Sequence, residues 1–171
     1  MEERQHLVLM GVAGSGKTTV AALLAERLGW PTAEADEFHP AANVAKMAAG
    51  TPLTDDDRWP WLRAIAAWIG AQDEAGRSSI VTCSALKRSY RDVLAAAPGR
   101  VRFVHLTGDP ALIAERMGHR SGHFMPTTLL PSQFATLEPL QPGEDGVTVT
   151  VDATPESVAD EVLRALDLMP R

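Results

Sequence analysis

The chain holds one cysteine, one tyrosine and one asparagine. A lone cysteine, Cys83, cannot close an intrachain disulfide, so packing must hold the fold and a reducing, cytoplasmic setting is expected. Cys83 ends an apolar strand and reads as packing, not as a nucleophile. The only asparagine, Asn43, is followed by Val44, which rules out the Asn-Lys-x-Asp that reads guanine in GTPases. With Tyr90 as the sole tyrosine, a stacking pocket for a nucleobase acceptor is disfavoured. Long apolar runs are missing too: none approaches the ~20 residues that span a bilayer. Residues 1–6 lack the basic start and long apolar stretch of a signal peptide. Positive charge is scarce, with 16 Lys and Arg against 22 Asp and Glu and a net charge of -6. Neither a nucleic-acid nor a membrane partner is expected, and an anionic ligand would have to find its positive charge locally.

The 171 residues are enough for one domain with a single real core, and 45% hydrophobic content fits a globular chain. Apolar runs at 7–10, 31–35, 79–83, 101–106 and 147–151 read as strands. Helical patterns follow at 17–28, 87–97, 109–120 and 154–168, with a short one near 127–137. Thr54 followed by Asp57 resembles a capping box, opening a helix that puts Trp61, Leu62, Ile65, Trp68 and Ile69 on one face. Its tryptophans, with Trp59, read as core. Strands alternating with helices predict an α/β fold, a five-stranded parallel sheet with helices on both faces. Residues 138–146 read as a surface loop.

Gly11-Val12-Ala13-Gly14-Ser15-Gly16-Lys17-Thr18 fits G-x-x-x-x-G-K-[ST], with a strand before it and a helix after it. Glycines let backbone N–H groups converge on phosphate oxygens, and the helix N-terminus adds partial positive charge. Gly11, Ala13, Gly14, Ser15, Gly16, Lys17, Thr18 and Thr19 are therefore assigned to ATP. Lys17 would reach the β- and γ-phosphates, and the Thr18 hydroxyl would ligate Mg²⁺.

An acceptor hydroxyl needs a group to orient it and take its proton. Asp36, just past the second strand, stands where doubly wound folds bind ligands. Glu34 shares its side of an extended chain and would hold a Mg²⁺-bound water. Arg116 and Arg120, four apart, would share a helix face and meet the transferred phosphoryl. They lead to Gly122, a hinge residue for a lid. Arg58, Lys87, Arg88 and Arg91 add cations that suit an anionic acceptor. Pairing with Asp55, Asp56, Asp57 and Asp92 competes, more for Lys87 and Arg91 than for Arg58 and Arg88. His39, ahead of Pro40, would either cap the next helix or bond a substrate oxygen. These residues leave open a kinase of a small acceptor such as shikimate or a nucleotide, and a nucleotide sensor that transfers nothing.

Several segments narrow this. Residues 36–47 carry D-x-x-H-P-x-x-N-x-x-K-M, and residues 50–62 carry G-x-P-L-x-D-x-D-R-x-P-W-L. Cys83-Ser84-Ala85-Leu86-Lys87, Gly122-His123-Phe124-Met125-Pro126 and Ser132-Gln133-Phe134 continue the pattern. In these the chain resembles the bacterial-type gluconokinases. The resemblance implies transfer of the ATP γ-phosphoryl to the 6-hydroxyl of gluconate, with Mg²⁺, in a homodimer. It places Asp36 at the acceptor hydroxyl, and His39, Arg58, Ser84, Arg88, His123 and Gln133 on the acceptor side. Arg116 and Arg120 would belong to a helical lid over ATP, near residues 114–127 of one kinase domain spanning 1–171. The chain departs from the family where Glu34-Ala35-Asp36 replaces the usual Asp-Gly-Asp. Glu is one methylene longer, which moves any Mg²⁺–water contact, while Asp36 is kept.

Overall fold

The computed structural model describes residues 4–12, 14–118 and 130–169. Five strands form one sheet: β1 (Gln5–Met10), β2 (Thr32–Glu34), β3 (Ser79–Thr82), β4 (Arg100–Thr107) and β5 (Gly146–Thr150). Their order is β2-β3-β1-β4-β5, and each neighbouring pair is parallel. The helices are α1 (Lys17–Leu28), α2 (Ala41–Ala48), α3 (Asp55–Glu74), α4 (Arg88–Ala95), α5 (Pro110–Gly118), α6 (Leu130–Thr136) and α7 (Pro155–Ala165).

The central strand explains the layering. Side chains alternate along β1, so Leu7 and Leu9 pack with Val20 and Leu24 of α1 and Val158 and Val162 of α7. Val8 and Met10 pack on the other face with Leu62 and Ile65 of α3 and Tyr90 and Leu94 of α4. All four strand residues are fully buried. Both faces of a parallel sheet are covered, so its strands read as unbroken apolar runs. Each such side chain contributes roughly 1.5–3 kcal/mol by leaving water.

Helix ends follow local chemistry. The Thr54 hydroxyl accepts from the Asp57 N–H at 3.2 Å while the Asp57 carboxylate accepts from the Thr54 N–H at 2.9 Å, the reciprocal capping box that the spacing predicts. Asp109 Oδ1 accepts from the Ala111 N–H at 2.8 Å and opens α5, with Pro110 first in the helix. Thr154 opens α7 in the same manner, accepting from the Ser157 N–H. Because the sheet is parallel, the carboxyl ends of β1, β2 and β3 lie together on one edge. That edge carries the phosphate-loop motif, a 3-10 turn at Ala35–Phe38 and the 83–87 segment.

Residues 138–146 are more than a surface loop. Leu140 packs into the core, and Glu144 keeps only 3% of its side chain exposed. Arg91, expected to pair at the surface, is wholly buried and bonds Glu144 instead, at 2.6 and 3.1 Å. Periodicity could not reveal a cation on the buried side of α4 whose partner lies fifty-three residues away.

Candidate active site

The phosphate loop depends on glycine at two points. Gly11 has φ +143°, and a Cβ there would meet the Leu106 carbonyl oxygen at 2.6 Å and Ser15 Oγ at 2.9 Å. Gly16 opens α1 from the left-handed region, φ +94°, which directs the first N–H groups of the helix into the loop. The Gly11 N–H donates to the Ser84 carbonyl at 3.1 Å, tying the end of β3 to the loop. Lys17 Nζ donates to the carbonyls of Gly11 and Val12 at 3.0 and 2.9 Å. Ala13 lies outside the described residues.

Thr18 and Glu34 come together. Thr18 Oγ1 donates to Glu34 Oε2 at 3.2 Å, and the Thr82 hydroxyl donates to the same oxygen. Thr82, the last residue of β3, is a contact that sequence reasoning missed. Its only signal was a polar residue closing an apolar strand. This set of hydroxyl and carboxylate oxygens suits a hard cation, which P-loop sites hold through one or two protein groups plus phosphate. Among the described residues no cluster of three or more His, Cys, Asp or Glu could by itself hold a metal.

A cleft of about 310 Å³ opens beside the loop. One wall is Gly14, Ser15, Gly16, Thr18, Thr19 and Arg116, and the other is Val151, Ala153, Pro155 and Val158. Arg116 thus stands with the phosphate loop, as its predicted role requires, while Arg120 lies outside the described residues together with most of the expected lid. The apolar wall escaped sequence reasoning, because Thr154-Pro155 reads only as a helix start. Its size and chemistry suit a nucleotide, with phosphates at the polar wall and a base at the apolar one.

A second cleft, about 410 Å³, includes Asp55, Arg58, Lys87, Gln133 and Thr136 in its lining. Arg58 donates to the Leu53 carbonyl at 2.6 Å and the Tyr90 hydroxyl at 3.1 Å, and lies over the Tyr90 ring at 5.3 Å. Asp55 accepts from Tyr90 and from Lys87. The Tyr90 bond first, then Lys87, holds the Asp55 carboxyl below its usual range, and the Asp55 bond raises Lys87 in turn. Lys87 therefore pairs as the sequence suggests. Arg88, expected to be the freer cation, bonds Asp92 at 3.0 Å and Gln141 at 3.3 Å, and is not part of this lining. His123 lies outside the described residues.

Asp36 and His39 lie just past β2. Asp36 is exposed in the 3-10 turn, whose neighbouring carbonyl Ala35 accepts the Trp61 indole N–H at 2.7 Å. His39 does not cap α2. Its ring stacks on Trp61 with centroids 4.1 Å apart and planes 13° from parallel. Burial first, then the Arg58 charge, lowers its pKa to about 4, so the imidazole is neutral near pH 7. Cys83 is pushed up to about 12 by burial, and it feels the charges of Lys17, Asp36 and Arg58 together.

A phosphate loop on a parallel sheet, with a nucleotide-sized cleft beside it and a second cleft lined by Asp55, Asp56, Arg58 and Lys87, defines a P-loop kinase of a small molecule. A family model described as an AAA domain matches residues 7–140. The gluconokinase of Gluconobacter oxydans (strain 621H) is 49% identical over 162 residues, covering 94% of this chain and 90% of that protein. A solved sugar kinase from Janibacter sp. HTCC2649 superposes with a TM-score of 0.92 at 52% identity, covering 96% and 95% of the two chains. A solved gluconokinase from Sinorhizobium meliloti 1021 superposes at 0.85 with 46% identity, covering 95% and 91%. The chain belongs to the gluconokinase family.

Proposed function

We propose that the protein transfers the γ-phosphoryl of ATP to the 6-hydroxyl of D-gluconate, giving 6-phosphogluconate and ADP. The observation that carries this is the phosphate loop, with Lys17 on its carbonyls and Arg116 beside it along a nucleotide-sized cleft, in a chain of the gluconokinase family. The acceptor oxygen attacks the γ-phosphorus, the bond to the β–γ bridging oxygen breaks, and Asp36 takes the hydroxyl proton. Lys17 and Arg116 offset charge on the transferred group, with Arg120 joining them from the lid near residues 114–127. Arg58 and Gln133 bind the sugar acid, with Ser84, Arg88, His39 and His123 on the same side. Thr18 and Glu34 would hold Mg²⁺, directly and through a water, and Mg²⁺ supplies charge neutralisation across the phosphates. The reading includes one kinase domain over residues 1–171 and a cytoplasmic homodimer, as the family resemblance implies. Among the described residues no helix is long and apolar enough to cross a membrane.

The test is ADP release from purified protein with Mg-ATP, offering gluconate, shikimate, nucleoside monophosphates, other aldonic acids or no acceptor. Gluconate should dominate. Asp36→Asn should lower turnover by about 10²–10⁴ with ATP affinity little changed. Strong turnover with another acceptor would retire gluconate. ATP binding without acceptor-dependent turnover would mark a sensor.

A further inference from the structure

His39 precedes α2 in extended backbone and Asn43 lies in its first turn, and their side chains meet. Asn43 is 3% exposed. Its amide nitrogen lies 2.9 Å from the Asp57 carbonyl oxygen and 3.3 Å from His39 Nδ1. A backbone carbonyl only accepts, so the atom facing it must be the NH₂ group and not the amide oxygen. The same NH₂ then points its second hydrogen at Nδ1, which must accept. A histidine that accepts at Nδ1 carries its proton on Nε2. Protonating the ring would set an N–H against this NH₂, so the contact opposes the imidazolium as well. Stacking on Trp61, whose indole is anchored to the Ala35 carbonyl, fixes the ring plane, and a flip within that plane would set Cδ2–H against the Asn43 NH₂ in place of the accepting Nδ1. Among the described residues Nε2 has no hydrogen-bond partner.

We propose that Asn43 is a positioning residue that locks His39 as the neutral Nε2–H tautomer, so that the imidazole donates one hydrogen bond to an oxygen of the acceptor. The proposal rests on the acceptor reading given above. A locked donor recognises a lone pair, whereas the other tautomer would recognise a hydroxyl hydrogen. The chain Asp57 carbonyl, Asn43 amide, His39 imidazole therefore sets the polarity of one contact in the acceptor pocket. The charged groups nearest this chain are Arg58, which acts on the ring, and Asp57 and Lys46, which bond each other at 2.7 Å beside it.

Two measurements test it. Long-range ¹⁵N–¹H NMR of the unmodified protein, with His39 assigned through His39→Gln, reads the tautomer without any turnover. A proton on Nε2 at pH 7 is expected, and a proton on Nδ1 overturns the proposal. Kinetics then use Asn43→Ala and Asn43→Asp. The aspartate cannot donate, and it draws the proton to Nδ1. Each should raise the acceptor KM about ten-fold, the scale of one lost hydrogen bond, with kcat and the ATP KM within about two-fold. His39→Gln keeps an N–H near the Nε2 position. In that background Asn43→Ala should add less than about two-fold, the non-additivity of a relay. A shifted tautomer with an unchanged acceptor KM, or full additivity, overturns the relay while leaving the kinase intact. Absence of gluconate turnover in the unmodified protein is a separate failure, of the acceptor reading, which the NMR result does not share.

Discussion

Glu34 receives two hydroxyl hydrogen bonds on one carboxylate oxygen, from Thr18 on α1 and Thr82 on β3. The longer side chain in place of the family's usual aspartate thus stays in the site and spans from β2 to the start of α1. Glu34→Gln keeps an oxygen for both hydroxyls and removes only the charge. The Mg²⁺ concentration for half-maximal turnover should then rise about ten-fold, the usual effect of losing an outer-sphere partner. The acceptor KM should stay near its original value. An unchanged Mg²⁺ titration would leave Glu34 as a structural tie between two threonines. Residues of this kind mark how far the sequence could be read. The glycine loop between β1 and α1 was legible because its residues form one short contiguous motif. Thr82, the Asn43 relay and the Pro155 wall were not, because each acts through a partner brought near only by the folded sheet.

Elements were more legible than contacts. Both ends of α1 appear where glycines place them, and the capping box of α3 forms as Thr54 and Asp57 foretell. Residues 138–145 form the surface loop that was expected up to 146, but composition did not show it to be clamped, since Pro, Gly and acids look alike whether a segment is loose or held. Here Arg91 bonds Glu144 and the carbonyls of Ala85 and Pro139, while Glu138 accepts the Arg88 N–H at the start of α4. Burial alone would raise the Glu144 carboxyl, but its bonds from Arg91 and the Gln141 N–H hold it low. Arg91→Met leaves the buried Glu144 with only the Gln141 N–H and the more distant Arg88, and should cost about 3 kcal/mol in chemical denaturation. Adding Glu144→Gln should recover part of this, because the stranded charge is gone. The strap runs directly from α6, which carries Gln133, so Arg91→Met should also weaken acceptor binding more than ATP binding. Equal losses for the single and double variants would show that lost packing, and not a stranded charge, is the cause.

At the scale of the whole molecule, charge decides how the fold answers acid. The net charge of -6 at pH 7 moves toward zero as protons bind, which relieves self-repulsion and favours the compact state. Two histidines, His39 and His105, act the other way. His39 sits at about 4 in the folded protein against 6.5 when exposed, and burial with the Arg91 and Lys17 charges lowers His105 too. Between these values the unfolded chain binds more protons than the folded one, so their stabilisation is complete above pH 6.5 and drains away as pH falls toward 4. Asp55, Asp57 and Glu144 are also held low, but their contribution is lost only below the ordinary carboxylate range. From pH 7 to 5 the contest is therefore between histidine linkage and a modest, salt-screened surface repulsion. After allowance for solvent screening of a half-buried ring, His39 alone costs about 1 kcal/mol at pH 5. For a chain of this length that is roughly 2–4 °C in melting temperature. Thermal unfolding at 0.15 M salt should show a lower midpoint at pH 5 than at pH 7, and His39→Gln should flatten that slope. A midpoint that rises on acidification, or a slope indifferent to His39→Gln, would mean that relief of surface repulsion outweighs the buried rings.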